Sequence, residues 1–301
     1  MYDPAKIAAA VGDDGLTYAR NKNRGGRSSA KGRDFEILYG AYRIALEASK
    51  AFETGTLGEG VTFHDQVLSF VDDFIISRQD QRTLEQLKSG AAAWNGGDHA
   101  LADDFRLQMK LDAACEIKAD YRLVVSDEGR RASLISSRPQ DLSNVEVVQF
   151  PEGFPDTALI ANRPDLAVAL DLLSPRDPER VVREQIWRML VGVWAQSRGD
   201  QSLEELINRA AEGPGGIVAP LLPAFEIPME AKNALDKIEY LRFYVTKNFF
   251  GFEYQGFGDH TMKGWAEYHC HTPEFGAFLT ALVHAQATDF FEFFAIFKAH
   301  V

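Results

Sequence analysis

Cysteine is scarce: Cys115 and Cys270 are the only two thiols among 301 residues, and they stand far apart. That excludes a disulfide framework and fits a reducing compartment. Long apolar runs are missing as well. No stretch approaches the roughly 18–20 apolar residues of a membrane-spanning helix, and the first residues lack the charged-then-apolar pattern of a secretion signal. A soluble, cytoplasmic protein with no membrane partner is the expectation. No Gly-x-x-x-x-Gly-Lys phosphate loop occurs, so any ATP-driven step must come from a partner. Positive charge is in deficit: 32 Lys and Arg against 44 Asp and Glu give a formal net charge of −12. An acidic surface repels a phosphate backbone, so nucleic-acid contact would need a local basic patch.

One such patch is present. Residues 19–33, "ARNKNRGGRSSAKGR", carry Arg20, Lys22, Arg24, Arg27, Lys31 and Arg33 without an acid. The glycines and serines predict a flexible arm over residues 1–33, with Lys22, Arg24, Arg27, Lys31 and Arg33 as candidate nucleic-acid contacts.

Beyond it, Phe35, Leu38, Tyr42 and Ala45 recur at helical spacing from Asp34 onward. Residues 61–70 and 71–77 read as extended, and 83–88 follow a polar turn at 78–81. A helix is expected over 98–119, with Asp98 as its N-cap. The short apolar runs 121–126 and 144–150 have the character of buried central strands. Together these predict an α/β layer structure over residues 34–155. Pro155, Pro164, Pro175 and Pro178 then punctuate the chain. Residues 179–212, 230–250 and 274–299 favour helix, which predicts a mainly α-helical C-terminal domain over 156–301. In its tail Phe290, Phe291, Phe293, Phe294 and Phe297 exceed what one helix face buries, and they offer core packing or a surface for a partner or a second copy.

The chemistry concentrates in "VDDFIISRQDQRTLEQLKSG", residues 71–90. Side chains alternate along a strand, so Leu84, Gln86 and Lys88 share one face. A four-residue loop at 78–81 sets 77 opposite 82, 75 opposite 84 and 73 opposite 86, which puts Asp73 beside Gln86 and Lys88. A slip of one residue would bring Asp72 there instead. Carboxylate and carboxamide oxygens from Asp73 and Gln86 suit Mg²⁺, with Mn²⁺ as a substitute. A lysine beside them can orient water or neutralise charge on a pentacoordinate phosphorus.

With "KGRDFEILYGAY", "VDDFII", "TLEQLKSG" and "YRLVVS" in this order, residues 30–150 resemble the PD-(D/E)xK nuclease superfamily in its Asp…Gln-x-Lys variant. More narrowly they are similar to the double-stranded-DNA endonuclease domain of CD-NTase-associated antiphage effectors. The resemblance implies a restriction-endonuclease-like mixed sheet flanked by helices, Mg²⁺-dependent cleavage of DNA and a role in prokaryotic defence. It makes Asp73 the metal-binding aspartate, Gln86 the second metal position, Lys88 the catalytic lysine and Glu36 an additional acid on the first helix. A defence-system partner protein would be met by the C-terminal domain, and cutting both strands would call for a homo-oligomer. Glutamine brings no charge to the metal, so Asp72, Glu85 or Glu36 would have to help. The alternative is a catalytically degenerate nuclease-fold subunit that binds a partner or nucleic acid without cutting it.

A second cluster competes. "GDHTMKGWAEYHCHT", residues 258–272, gathers His260, His269 and His271 in a chain with 7 histidines. On a strand His269 and His271 would face one way and reach a single zinc, with His260 or Asp259 as third ligand.

Overall fold

The structure, a computed structural model, describes residues 2–25, 30–96, 100–176, 179–197, 199–213, 215–256 and 260–300, with backbone only at 24, 25, 30 and 31. The chain forms two compact units, each assembled from separate stretches. Unit 1 comprises Met1–Ile44, Glu59–Pro164 and Val191–Leu203; unit 2 comprises Ala45–Gly58, Asp165–Leu190 and Glu204–Val301. The sequence boundary near Pro155 therefore falls inside unit 1. No helix among the described residues is long and apolar enough to cross a membrane.

Unit 1 is built on a mixed six-stranded sheet. Its strands are β1 (Thr62–Asp65), β2 (Phe74–Ser77), β3 (Arg82–Lys88), β4 (Ala119–Val125), β5 (Val145–Gln149) and β6 (Gln201–Ser202), in the order β5-β4-β3-β2-β1-β6. β1, β2 and β3 run antiparallel as a meander, whereas β3, β4 and β5 are parallel. Parallel neighbours need crossovers, and helices α3 (Leu101–Ala114) and α4 (Glu128–Ser136) lie within them. Asp127 caps α4 by accepting the Arg130 amide at 2.8 Å. The expected cap of α3, Asp98, lies outside the described residues.

Helices flank the sheet. Leu84, Tyr121, Leu123 and Val147 pack with Leu101 and Phe105 of α3 and Leu134 of α4. The other side meets α2 (Ala30–Thr54), where Tyr39 stands edge-on to Phe74 and Phe150 at 6.1 and 5.3 Å. Gly40 is required there, because a β-carbon would overlap the Trp194 indole. The expected α/β layering is present. The extended run 61–77 is broken, however: residues 66–73 bend between β1 and β2, and Gln66 takes a left-handed φ of 50°. Gln108 of α3 pins that bend by accepting the Phe70 and Val71 amides at 2.9 and 3.3 Å.

The N-terminal segment differs from expectation. Residues 4–25 form α1 (Pro4–Gly25), interrupted at Gly12 by a non-helical φ of 84°. Ile7 and Ala19 on it are buried with Tyr2, Phe70 and Leu111, so an apolar stripe orders residues 4–25 where a flexible arm was expected, while most of the Gly/Ser run behind that expectation, residues 26–29, lies outside the described residues.

Unit 2 is described separately. Helices α6 (Pro164–Leu173), α8 (Leu203–Ala211), α9 (Met229–Leu235), α10 (Pro273–Ala285) and α11 (Phe290–His300) fall wholly or mainly within it, and α7 (Arg180–Gln196) belongs to it in part; α5 (Asp156–Asn162) belongs to unit 1. Unit 2 also contains a three-stranded antiparallel sheet of β7 (Leu241–Thr246), β8 (Phe249–Gln255) and β9 (Thr261–Trp265), which corrects the helix expected over 230–250 beyond α9. The turn is the reason. Lys247 and Asn248 take left-handed φ values of 47° and 67°, which make a two-residue hairpin with Thr246 opposite Phe249. Phe250 and Phe252 then pack with Phe275, Phe278, Phe290, Phe293 and Phe297 in one aromatic core. The phenylalanine tail thus mostly serves this core, and Phe291 is left 77% exposed.

Candidate active site

The hairpin has the anticipated register: Ser77 pairs with Arg82 and Ile75 with Leu84. Extending the ladder brings Asp73, just before β2, beside Gln86. The Gln86 amide donates to Asp73 Oδ2, the Leu87 backbone amide donates to the same oxygen at 2.8 Å, and Lys88 Nζ lies 3.7 Å from it. Asp73, Gln86 and Lys88 therefore converge. Asp73 is held by a backbone donor and Gln86 is fully buried, while the Lys88 side chain remains 34% exposed.

The three border a cavity of about 970 Å³, whose walls also include Lys22, Asp72 and Asp104. Asp72 takes a different direction from Asp73. Its Oδ1 is buried without a hydrogen bond and lies 3.5 Å from Lys22 Nζ. Burial, followed by the neighbouring charge of Asp73, raises its pKa, and Lys22 and Lys88 work against that rise.

Lys22 is placed in a way its sequence context did not show. Its ammonium donates to Asp104 Oδ2 at 2.7 Å, to Gln86 Oε1 at 3.0 Å and to the Phe70 carbonyl. Burial disfavours its charge, but Asp72 and Asp104 outweigh that and hold its pKa above the ordinary lysine value. Lys22, a candidate nucleic-acid contact from its sequence, is thus engaged by an acid cluster in the structure. Asp104, on the first turn of α3, also accepts from the Tyr18 hydroxyl. Sequence reasoning missed it because α3 joins the hairpin only in three dimensions; its one local mark was a polar row, Asp104, Gln108 and Asp112, on the buried side of α3.

Glu36 lies at the margin of this group. Gln66 Nε2 donates to its Oε2 at 3.3 Å, and burial, followed by the charge of Asp73, pushes its pKa up to about 7. Glu85 is removed from the site. It is fully buried and pairs with Arg43 of α2 and with Arg122 at 3.2 Å. It cannot supplement a metal at Gln86, because adjacent strand residues face opposite ways.

Among the basic candidates, Arg33 is exposed on α2, the side chains of Arg24 and Lys31 lie outside the description, and Arg27 lies outside the described residues. Among the described residues the histidine cluster does not come together as a three-ligand set. His269 and His271 have ring centroids 6.2 Å apart, and His271 Nε2 sits 3.0 Å from the Pro223 carbonyl. His260 is exposed, Asp259 lies outside the described residues, and Cys270 is buried with its thiol pushed up to about 12 by burial. Among the described residues no group of three or more His, Cys, Asp and Glu is arranged to hold a metal ion.

Compared with protein-family models, curated proteins and solved structures, the chain matches none.

Proposed function

We propose that unit 1 is a Mg²⁺-dependent endonuclease domain that hydrolyses phosphodiester bonds of DNA. The observation that carries this reading is the convergence of Asp73, Gln86 and Lys88 beside an open cavity. The donor set fits a hard cation in kind: Asp72 Oδ1 is buried without a hydrogen bond, and Asp73, Asp104 and the Gln86 carboxamide add only oxygen ligands. Asp73 and Gln86 would hold the ion, with Asp72 and Asp104 on the same cavity wall beside the Gln86 oxygen, and the ion when bound would polarise the phosphate and acidify the attacking water.

The chain's own groups have separate tasks. Lys88, exposed to the cavity, binds a phosphate oxygen and offsets the charge that grows on phosphorus as the water oxygen bonds to it. The bond to the leaving sugar oxygen then breaks, and that oxygen takes up a proton. Glu36, with its pKa near 7, can hold or release a proton at neutral pH. The cavity wall carries Asp14, Asp72, Asp73 and Asp104 against Lys22 and Lys88, so without added positive charge it repels phosphate. A cation requirement follows from that balance. The role in prokaryotic defence, the partner protein and the homo-oligomer are parts of the proposal that rest on the sequence resemblance.

Purified protein should nick or linearise plasmid DNA in Mg²⁺ or Mn²⁺, and Lys88→Ala should lower the rate by about 100-fold or more with the fold intact. Undiminished cleavage by that variant would defeat the assignment. One observation favours a second reading, a non-cutting subunit that binds a partner or nucleic acid: the described residues contain no preformed three-ligand acid cluster. Wild-type protein inert on DNA and RNA with either ion would select it.

A further inference from the structure

The position that Lys22 Nζ fills is bounded by oxygen on several sides. Asp104 Oδ2 lies at 2.7 Å, Gln86 Oε1 at 3.0 Å and Asp72 Oδ1 at 3.5 Å, with the Phe70 carbonyl also accepting from it. Two carboxylates, a carboxamide oxygen and a backbone carbonyl are the ligand types of a hard divalent cation. Asp72 is 1% exposed, and its Oδ1 has no hydrogen bond although it borders the cavity. An ammonium is a poor filler here: it carries one charge against two buried carboxylates and leaves that oxygen without a donor.

The helix that delivers the ammonium is held differently on the two sides of a break at Gly12. At its start the Tyr2 hydroxyl donates to Asp112, which also accepts from Tyr121 at 2.8 Å and Gln108 at 3.1 Å, and the Arg82 guanidinium lies 5.1 Å over the Tyr2 ring. Gly12 then breaks the helix with a φ of 84°, in a position where a β-carbon would meet nothing within 4 Å. Beyond the break, Tyr18 and Lys22 bind Asp104, Ala19 is buried against Phe70 and Leu111, and Asn23 donates to the Gln66 carbonyl, so a swing of this segment must give up apolar contact as well as the polar ones.

We propose that Asp72, Asp104, Gln86 Oε1 and the Phe70 carbonyl form a divalent-cation site that Lys22 occupies in the resting chain, so that residues 13–25 must swing away about Gly12 before the ion enters. The nuclease domain then carries its own plug, and its cation affinity is set by competition with a tethered ammonium. The inference rests on the nuclease reading for its purpose but is tested by ion binding.

Mn²⁺ binding is measured by calorimetry on the full chain, on Lys22→Met, which keeps most of the stem, and on Lys22→Met/Asp104→Asn, with circular dichroism to verify the fold. Lys22→Met should bind Mn²⁺ at least tenfold more tightly than wild type, and the double variant should lose that gain. Equal affinity in Lys22→Met, or a gain that survives in the double variant, overturns the proposal. Hydrogen exchange on the wild type covers the case of a variant that does not fold: saturating Mn²⁺ should speed exchange over residues 13–25, and unchanged or slower exchange there overturns it. Tighter binding by Lys22→Met with no cleavage of any nucleic acid keeps the plug and removes the nuclease. Mg²⁺-dependent cleavage by the wild type with no gain in Lys22→Met does the reverse.

Discussion

Arg43 of α2 and Glu85 of β3 form an ion pair inside unit 1, with side chains 5% and 0% exposed. Glu85 is adjacent to Gln86 yet points to the opposite side of the sheet, so it serves the seam with α2 rather than the cavity. Burial raises its pKa, and Arg43 and Arg122 oppose that rise. A desolvated pair contributes little net stability when complete, and its loss is costly when one partner is left behind.

Arg43→Met should therefore destabilise the chain by about 3–5 kcal/mol, because Glu85 is left buried with its nearest cation gone and only Arg122 and the Tyr39 hydroxyl to offset its charge. Arg43→Met/Glu85→Leu should recover most of that loss. Urea unfolding of the two single variants and the double variant checks it. A double variant as unstable as the sum of the singles would mean the pair is not coupled.

Glu36 makes stability depend on pH. Its pKa is raised to about 7 by burial and by Asp73, with Asp72 adding to the rise while Gln66 and Lys88 oppose it. Between about pH 4.5 and 7 the folded chain keeps a proton on Glu36 that the unfolded chain releases, so the group's contribution is full at low pH and is lost as pH rises. Glu36→Gln should be more stable than wild type at pH 8 by about 1–2 kcal/mol, the carboxyl being partly open to solvent, and the difference should vanish near pH 4. Thermal melts across that range provide the check, and a gap independent of pH would contradict the assignment.

Gln86→Glu tests the carboxamide. The Gln86 amide donates to Asp73 Oδ2, and a carboxylate there would set like charges in contact. Without divalent ions the variant should lose about 1–3 kcal/mol, as expected for a buried acceptor losing its donor. Mg²⁺ should restore more stability to it than to wild type. Melting temperatures with Mg²⁺ and with a chelator measure both effects, and a variant unaffected by either would separate residue 86 from any cation.

Much of unit 1 was legible because its signals are local. Period-two alternation and a four-residue polar loop pointed to the pairing of Ile75 with Leu84 that the structure adopts, with only a one-residue slip as its rival. The continuous apolar run in "YRLVVS" marked β4 as a strand covered on both faces. The hairpin of unit 2 was misread because Lys247-Asn248 is a weak turn signal and its flanking phenylalanines suit a helix as well as a strand.

By itself, then, the sequence determined the β2–β3 hairpin and narrowed its register to two, one bringing Asp73 and the other Asp72 to Gln86 and Lys88, since alternation and loop length act over a dozen residues; the structure selected the first. Only the tertiary structure decided what surrounds them. Lys22 and Asp104 come from helices 82 residues apart in the chain, and Lys22 read as a basic-arm residue until a buried acid cluster gave its charge a partner. Charge pairing is a matter of distance in space, and spacing along a chain does not encode it.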